Sequence, residues 1–351
     1  MDLRKLKVPI VQAPLAGGAS TPQLAAAVAA AGGLGFLAAG YKTAAALAED
    51  IGELRRLSSE PFGVNIFAPP TAAPDAAAVA GYAAQLQAEA ARCAVMLGEP
   101  RHDDDDFGAK LELAATERIP VVSFTFGCPS NEVVEQLHSA GSSVWVTVTH
   151  PEEASQAQTA GADALVVQGF EAGGHRAYFS DGSEREDLGL LVLLRLVRDR
   201  VSVPLVAAGG IVDGAGVAAV LCAGALAAQL GTALMLAPEA GTSAVHRAAL
   251  RADGGTAMTR AFSGRQARGI VNRFMREHSE QAPSAYPDVH HLTTPIRAAA
   301  RRAGDPDTVN LWAGQGHALA SQAPAAEIVD RIAADAREIL VALARSLSTE
   351  P

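Results

Sequence analysis

Cysteine, basic charge and long apolar runs are all scarce in this 351-residue sequence. The three cysteines, Cys93, Cys128 and Cys222, are an odd number without the spacing of a metal site, so we expect no disulfide framework and no bound metal. No run approaches the roughly 20 apolar residues that span a bilayer. The N-terminal residues, MDLRKLK, lack the apolar core of a signal peptide. These absences predict a cytoplasmic protein with reduced thiols.

The charge balance excludes two classes of partner. The chain has 28 Lys and Arg against 38 Asp and Glu, a formal net charge of −10. Proteins that bind nucleic acid carry a basic patch, and an anionic membrane surface attracts basic segments. We therefore expect neither nucleic acid nor a membrane as partner, while the oligomeric state stays open. Hydrophobic residues make up 49% of the chain, which is enough for a large core.

Short apolar segments alternate with helical patterns along the chain. Several helical patterns begin at a capping residue, such as Thr21 before Pro22. Continuous apolar segments are typical of strands buried on both faces of a parallel sheet. Eight alternating βα units predict a (β/α)8 TIM barrel rather than a doubly wound sheet. The eight predicted strands are residues 8–14, 34–39, 62–67, 121–126, 144–149, 164–168, 204–208 and 227–231.

Two segments interrupt the alternation. The first contains a helical stretch at 76–98 and an acidic run at 103–106, which we expect to be solvated on the outside of the barrel. The second, residues 240–322, follows the eighth strand. Because substrate binds at the C-terminal ends of barrel strands, this segment is predicted to be a mainly helical lid over the mouth. The barrel domain would then comprise residues 1–239, completed by 323–351.

Amide side chains lie at or near the ends of four predicted strands. The C-terminal ends of barrel strands share one rim, and this rim carries the active site in such enzymes. An amide both donates and accepts hydrogen bonds, which suits the N–H and C=O edges of a flavin ring. We therefore predict cofactor contacts for the amides of Gln12, Asn65, Gln168 and Gln229.

Two glycine-containing loops predict a phosphate site. Gly209 and Gly210 follow the seventh strand, and the stretch Leu230-Gly231-Thr232 follows the eighth. Barrel enzymes commonly seat a phosphate on backbone N–H groups from these two loops. Glycine lets the backbone approach the ligand closely. The combination predicts a bound mononucleotide.

One histidine stands in a glycine-rich loop directly after the sixth strand. His175 follows Gly173 and Gly174, and its imidazole could act as a base or, when protonated, hold an anion. His150, at the end of the fifth strand, is the second candidate and a possible pocket residue. The position of His175 at the rim makes it the predicted catalytic residue.

The ordered motifs resemble those of the nitronate monooxygenase family, formerly called 2-nitropropane dioxygenases, in its class I. The resemblance covers most of the chain and is carried by residues 9–18, 62–65, 123–129, 162–176 and 311–315. It implies an FMN-binding TIM barrel with an inserted helical domain, which agrees with the architecture predicted above. The implied reaction is oxidation of an alkyl nitronate, or of a nitroalkane, by O2 to a carbonyl compound and nitrite.

The same resemblance implies residue roles. His175 matches the catalytic histidine of the family. Two positions depart from the family pattern: Thr125 stands where many members carry histidine, and Ala177 where many carry glycine. Thr125 cannot carry a positive charge, so it is a pocket residue that bears on substrate preference. The implied FMN contacts are Asn65, Gln168, Gly173, Gly210 and the stretch Gln229–Thr232.

Three other functions remain open at the level of sequence. FMN-dependent enoyl-acyl carrier protein reductases share the segment Glu-Ala-Gly-Gly-His around His175 and use NAD(P)H. Quinone reduction on the same scaffold is a further alternative. A flavin-binding barrel without activity is the third, although an intact His175 argues against it. Gln168 and the segment Phe124–Pro129 favour nitronate oxidation.

Overall fold

The computed structural model describes residues 2–70, 72–181 and 186–348. In chain order, the strands are β1 (Ile10–Gln12), β2 (Gly35–Ala38), β3 (Phe62–Phe67), β4 (Val121–Thr125), β5 (Ser143–Val148), β6 (Ala164–Gln168), β7 (Gly174–His175), β8 (Leu205–Ala208), β9 (Ala227–Leu230), β10 (Thr256–Thr259) and β11 (Ala267–Ile270). The α-helices are α1 (Pro22–Ala30), α2 (Ala44–Leu57), α3 (Ala76–Gln85), α4 (Gln87–Arg92), α5 (Phe107–Thr116), α6 (Asn131–Ser139), α7 (Pro151–Thr159), α8 (Leu190–Arg198), α9 (Gly214–Cys222), α10 (Ala244–Arg251), α11 (Arg273–His278), α12 (Asp288–Ala303) and α13 (Ala325–Ser348).

Eight parallel strands form the barrel. Their hydrogen-bonded order is β1-β9-β8-β6-β5-β4-β3-β2, and a parallel bridge between Val11 and Leu34 brings β1 beside the start of β2. Every residue of β3 and of β5 is buried, because helices cover one face and the packed barrel interior covers the other. The predicted TIM barrel is confirmed, and each predicted strand matches an observed one to within two residues at either end.

The barrel helices begin and end as the local sequence predicts. The Thr21 hydroxyl accepts a hydrogen bond from the Leu24 N–H at the start of α1, and the Asp213 carboxylate does the same for the Gly216 N–H at the start of α9. Their apolar faces pack on the sheet. Burying each large apolar side chain stabilises the fold by about 1.5–3 kcal/mol. In the described part of the chain, no helix has both the length and the apolarity needed to cross a bilayer.

The segment 240–322, which was predicted to be mainly helical, contains strands as well as helices. It contains α10, α11 and α12, but it also contains the antiparallel hairpin of β10 and β11. β11 pairs with the two-residue strand β7, which places Ala267 opposite His175. Buried and exposed residues do not alternate along β10 and β11. The hairpin is extended only by β7, which comes from a distant loop, so it is not part of a continuous amphipathic sheet. The insertion is therefore hydrogen-bonded directly to the predicted catalytic loop.

The stretch 76–98 packs on the insertion instead of standing in solvent outside the barrel. It divides into α3 and α4, whose apolar residues share a core with Phe262 and Phe274. The Tyr82 hydroxyl donates to the Ala261 carbonyl at 2.8 Å. Sequence periodicity shows that these helices have an apolar face, but it does not show which surface covers that face.

The acidic run at 103–106 forms hydrogen bonds and ion pairs with other parts of the fold, which was not predicted. The Asp105 carboxylate accepts from the Tyr41 N–H at 3.0 Å and pairs with Lys110 at 2.7 Å. Asp103 pairs with His291 of α12 at 2.9 Å. The expectation of a fully solvated run is therefore wrong at these two positions, because Tyr41 and His291 come from distant parts of the chain.

Candidate active site

The Gln12 amide is used to close the barrel. Its nitrogen donates to the Phe36 carbonyl at 2.9 Å and to Ser20 Oγ at 3.1 Å, and its oxygen accepts from the Phe36 N–H at 3.3 Å. The side chain thus mimics a backbone pair between β1 and β2. Both of its donors are in use, so the side chain has a structural role, and its contact with a cofactor stays a prediction.

The Gln168 amide holds the loop that carries His175. Its nitrogen donates to the His175 carbonyl at 3.0 Å, and its oxygen accepts from the Ala177 N–H at 3.0 Å and from Arg176 Nη1 at 3.1 Å. Ala177 contributes through its backbone, so its departure from the family pattern does not disturb this hydrogen bond. The geometry gives Gln168 a positioning role toward His175.

The other two rim amides keep an unpaired oxygen. Gln229 is 8% exposed, and its buried Oε1 has no hydrogen-bond partner among the described residues. The Asn65 amide nitrogen donates to Ser123 Oγ and to Thr125 Oγ1, both at 2.9 Å. Asn65 Oδ1 has no such partner within the described chain. A buried unsatisfied acceptor costs about 1–3 kcal/mol, so Gln229 Oε1 suits a ligand that carries N–H donors. Asn65 Oδ1 could accept a further hydrogen bond from the same ligand.

Thr125 therefore orients an amide at the rim. Its Oγ1 accepts from Asn65 and lies 3.4 Å from Thr147 Oγ1. A hydroxyl at this position fixes the Asn65 side chain without adding charge to the pocket. His150 lies elsewhere: it precedes α7, is 8% exposed, and its ring centroid is 6.4 Å from that of Tyr178. It has no ring contact with His175.

The two glycine loops lie side by side at the rim. Ala208 and Gln229 are opposite each other in the β8–β9 pairing, so the residues that follow them are neighbours. Gly209 and Gly210 have φ angles of 118° and 70°, which only glycine adopts readily. Gly231 precedes a 3-10 helix, Thr232–Leu234, whose first N–H groups have no acceptor within the helix. This arrangement suits a phosphate.

The remaining predicted cofactor residues have packing roles as well. A side chain at Gly173 would place its Cβ 2.4 Å from the Ala313 carbonyl carbon and from the Gly314 nitrogen. The Gly314 N–H in turn donates to Thr232 Oγ1 at 3.0 Å. Leu230 is fully buried in the barrel. These contacts bring the C-terminal end of the insertion against the loop that carries His175 and against the loop at Gly231 and Thr232, where a phosphate is predicted to bind.

His175 is half-buried, and its ring is hydrogen-bonded to the insertion. Its Nε2 lies 2.8 Å from the hydroxyl of Ser263, which is 1% exposed. Removal of the imidazole from water, together with the positive charges of Arg265 and Arg297, lowers the pKa of His175 to about 3. The ring is therefore neutral at physiological pH, and the predicted role as a cationic anchor does not fit this environment.

Aromatic rings enclose His175 from the barrel and from the insertion. The ring centroids of Phe126, Tyr286 and Trp312 lie 5.7, 5.8 and 5.5 Å from that of His175. Phe126 and Tyr41 have φ angles of 76° and 66°, in the left-handed region that bulky residues rarely adopt. Such strain costs about 1–3 kcal/mol per residue and is concentrated at functional sites. Both strained residues belong to the cluster of aromatic rings around His175, which is called the aromatic pocket below.

Several residues of this pocket were missed by the sequence analysis. They come from the middle of the insertion, where neither strand ends nor glycine loops mark functional positions. Only the segment 311–315, which contains Trp312, stood out through the family resemblance. The missed residues are Ser263, Arg265, Tyr286, His290 and Arg297.

Comparisons with known proteins agree with the motifs. Residues 2–335 match the nitronate monooxygenase family. A nitronate monooxygenase from Pseudomonas aeruginosa is 41% identical over 343 residues, which cover 95% of this chain and 97% of that protein. A probable nitronate monooxygenase from Staphylococcus aureus is 36% identical over 347 residues, with 97% of each chain covered.

Solved structures show the same relationship. Nitroalkane oxidase from Streptomyces ansochromogenes is 52% identical, with a TM-score of 0.95 and coverage of 97% of this chain and 99% of that one. FabK from Thermotoga maritima is 26% identical, with a TM-score of 0.77 and 98% of each chain covered. The similarity thus extends over the barrel and the insertion together. The chain is an oxidoreductase and belongs to the nitronate monooxygenase family.

Proposed function

We propose that the protein binds FMN and oxidises alkyl nitronates with O2, releasing a carbonyl compound and nitrite. The observation that carries this proposal is the neutral His175 inside an aromatic pocket, beside two amide oxygens that lack partners. Family membership supplies the class of reaction. The cofactor, the oxidant and the roles of individual residues are our inference from the geometry.

The residues at the rim fit FMN. Backbone N–H groups of Gly209, Gly210 and the stretch 231–233 would hold the phosphate, as helix N-termini and glycine loops do in other barrels. Gln229 Oε1 and Asn65 Oδ1 would accept hydrogen bonds from the flavin ring. Bound FMN would supply the redox chemistry, taking electrons from the substrate and passing them to O2.

The electrostatic state of His175 favours a nitronate over its parent nitroalkane. A nitronate has already lost its α-proton, so its oxidation needs no base. A neutral nitroalkane does need one, and a histidine with a pKa of about 3 is a weak base at neutral pH. With a nitronate, neutral His175 would only form a hydrogen bond with the substrate. With a nitroalkane it would also be the base that removes the α-proton, its ring held in place by Ser263.

Residues 240–322 are proposed to cover the barrel mouth. Ser263 contacts His175, and the backbone at Ala313 packs on Gly173. Tyr286 and Trp312 add two of the rings around His175. Covering the mouth would exclude water from the reacting centre.

An anaerobic absorbance titration tests the proposed function. One sample of the purified holoenzyme is titrated with propane-2-nitronate and a second sample with 2-nitropropane. The visible absorbance of the flavin is measured after each addition. We expect bleaching by the nitronate, slower bleaching by the nitroalkane, and nitrite release on admission of air. A protein without FMN that cannot be reconstituted, or a flavin that no nitronate reduces, would refute the proposal.

An NAD(P)H-dependent reductase is the second candidate. It is supported by the structural similarity to FabK and by the shared segment around His175. The higher identity to the nitroalkane oxidase, 52% against 26%, favours nitronate oxidation. The titration separates the two, since a reductase would be bleached rapidly by NADH or NADPH without any nitronate.

The Gly210→Val substitution is expected to raise the dissociation constant for FMN at least tenfold. Gly210 has a φ of 70°, and a Cβ there would lie 2.9 Å from Glu171 Cβ. The loop must therefore move away from the proposed phosphate position. The measurement is FMN binding to the apoprotein by fluorescence quenching. Gly141→Val is the matched control, because Gly141 has a φ of 90° in an open αβ turn. Equal affinity in both variants would place the phosphate elsewhere.

The Ser263→Ala substitution is expected to lower kcat/KM for a nitronate about fivefold with FMN content unchanged. The loss corresponds to about 1 kcal/mol, the usual contribution of one hydrogen bond. Steady-state nitrite release measures the change. Ser263→Thr retains the hydroxyl and should recover most of the activity, and Ser279→Ala removes another hydrogen-bonded hydroxyl of the insertion as a control. Failure of threonine to rescue would argue against a positioning role for the hydroxyl.

A further inference from the structure

Two arginine side chains that are buried near His175 have no carboxylate partner among the residues that the structure describes. Arg265 is 7% exposed, and its guanidinium donates from Nε to the Arg176 carbonyl at 3.0 Å and from Nη2 to the Tyr178 carbonyl. Arg297 is 8% exposed. Within the described chain, its guanidinium is hydrogen-bonded only to groups of its own helix, namely Thr293 Oγ1 at 3.0 Å, the His290 carbonyl at 2.7 Å, His290 Nδ1 at 3.3 Å and Thr294 Oγ1 at 2.8 Å.

Both guanidiniums border the aromatic pocket. The Arg265 guanidinium lies 4.2 Å from the centroid of the Phe126 ring, which itself contacts His175. Arg297 is hydrogen-bonded to His290, whose ring stacks on Tyr41 at 4.0 Å. The charges of both arginines lower the pKa of His175. For Nη1 of either arginine, the described residues supply no acceptor.

No acidic side chain in the described part of the chain neutralises this pair. Three carboxylates act electrostatically on Arg265 or Tyr286, and each is engaged elsewhere. Asp105 pairs with Lys110 at 2.7 Å, Asp181 pairs with Arg260 at 3.2 Å, and Glu153 accepts from the Thr149 and Phe179 N–H groups. Burying a cation without a counterion is costly. The protein has an excess of ten acidic groups over basic ones, yet within the described ranges none of the acidic groups forms an ion pair with either arginine. The missing negative charge is one that a ligand would bring.

We propose that Arg265 and Arg297 form the anion-binding element of the substrate pocket and select the nitronate anion over the neutral nitroalkane. The proposal rests on the function proposed above and assigns the electrostatic role to these arginines rather than to His175. A guanidinium is planar, permanently charged and suited to two oxygens on one atom. The two oxygens of a nitronate present this pattern with a single negative charge.

Nitrate is a suitable probe, because it is a planar monoanion of similar size that the enzyme does not oxidise. Its dissociation constant is measured by calorimetry on the FMN-loaded protein, in which the phosphate site is filled. We expect Arg297→Gln to raise this constant about tenfold or more, the usual effect of losing a charge-assisted hydrogen bond. Arg297→Lys keeps the charge and should bind nitrate with intermediate affinity.

Arg302→Gln is the matched control, since Arg302 is an exposed arginine on the same helix and the net charge changes equally. Its nitrate affinity should equal that of the wild type. In turnover, Arg297→Gln should raise KM for propane-2-nitronate about tenfold and leave KM for 2-nitropropane within about threefold of wild type.

Two outcomes would overturn the proposal: a wild-type protein that binds no nitrate, and an Arg297→Gln variant with native circular dichroism and unchanged nitrate affinity. An equal rise of KM for the anionic and the neutral substrate would also contradict it. If nitrate binds in an Arg297-dependent way but no nitronate is oxidised, the anion site stands and the proposed function fails. The calorimetric and kinetic arms thus separate the two failures.

Discussion

The His175→Asn substitution is expected to lower kcat/KM for a neutral nitroalkane by about 10²–10⁴-fold and that for the preformed nitronate by about tenfold or less. Loss of a general base typically has the larger effect, because the α-proton of the nitroalkane must then leave without assistance. The nitronate needs no proton removal, so only one hydrogen bond is lost. Nitrite release from both substrates measures the two ratios, and FMN content should stay at the wild-type level.

The control for this substitution is His138→Asn, which changes an exposed histidine paired with Asp163 on the outside of the barrel. It should leave both rates unchanged. An equal and severe loss on both substrates in His175→Asn would reject the base and leave an anchoring role. Full activity on both substrates would make His175 a bystander and direct attention to His150.

Acidification from pH 7 to pH 5 is expected to destabilise the folded protein by about 2 kcal/mol for each buried neutral histidine. Burial lowers the pKa of His175 to about 3 and of His246 to about 4, and it lowers the pKa of His290 well below the ordinary value. These side chains stay neutral in the fold but bind protons in the unfolded chain below about pH 6.5. The unfolded state then holds more protons, so the free energy of unfolding falls as the pH falls.

Urea denaturation at pH 7 and pH 5, with excess FMN in both buffers, measures this change. Glutamine at position 246 keeps a donor for the Trp312 carbonyl, which the histidine now contacts at 2.9 Å. The His246→Gln variant should therefore reduce the pH dependence by about 2 kcal/mol. A free energy of unfolding that is equal at both pH values would show that these histidines are protonated in the fold.

The two glutamines at strand ends show where sequence reasoning succeeds and where it stops. Gln12 and Gln168 were placed correctly at the rim, because strand ends follow from the apolar pattern. Their hydrogen bonds were not predictable: Gln12 joins β1 to β2, and Gln168 holds the His175 loop. The position of a strand end predicts where a side chain lies. It does not predict whether another residue of the fold already forms hydrogen bonds with that side chain. Of the four amides, Asn65 and Gln229 retain a free acceptor.

The amino-acid pattern by itself determined the barrel, its strands and helices, and the position of His175 at the rim. Those features depend on burial and periodicity within short stretches, and capping residues such as Thr21 add local signals. The tertiary structure decided the chemistry of the pocket. Ser263 contacts His175 from a distant insertion, and the charges of Arg265 and Arg297 in the same insertion act on its ring. A pKa depends on which charges and how much water surround the ring. No spacing along the chain encodes that environment, because it exists only once the insertion has packed on the barrel.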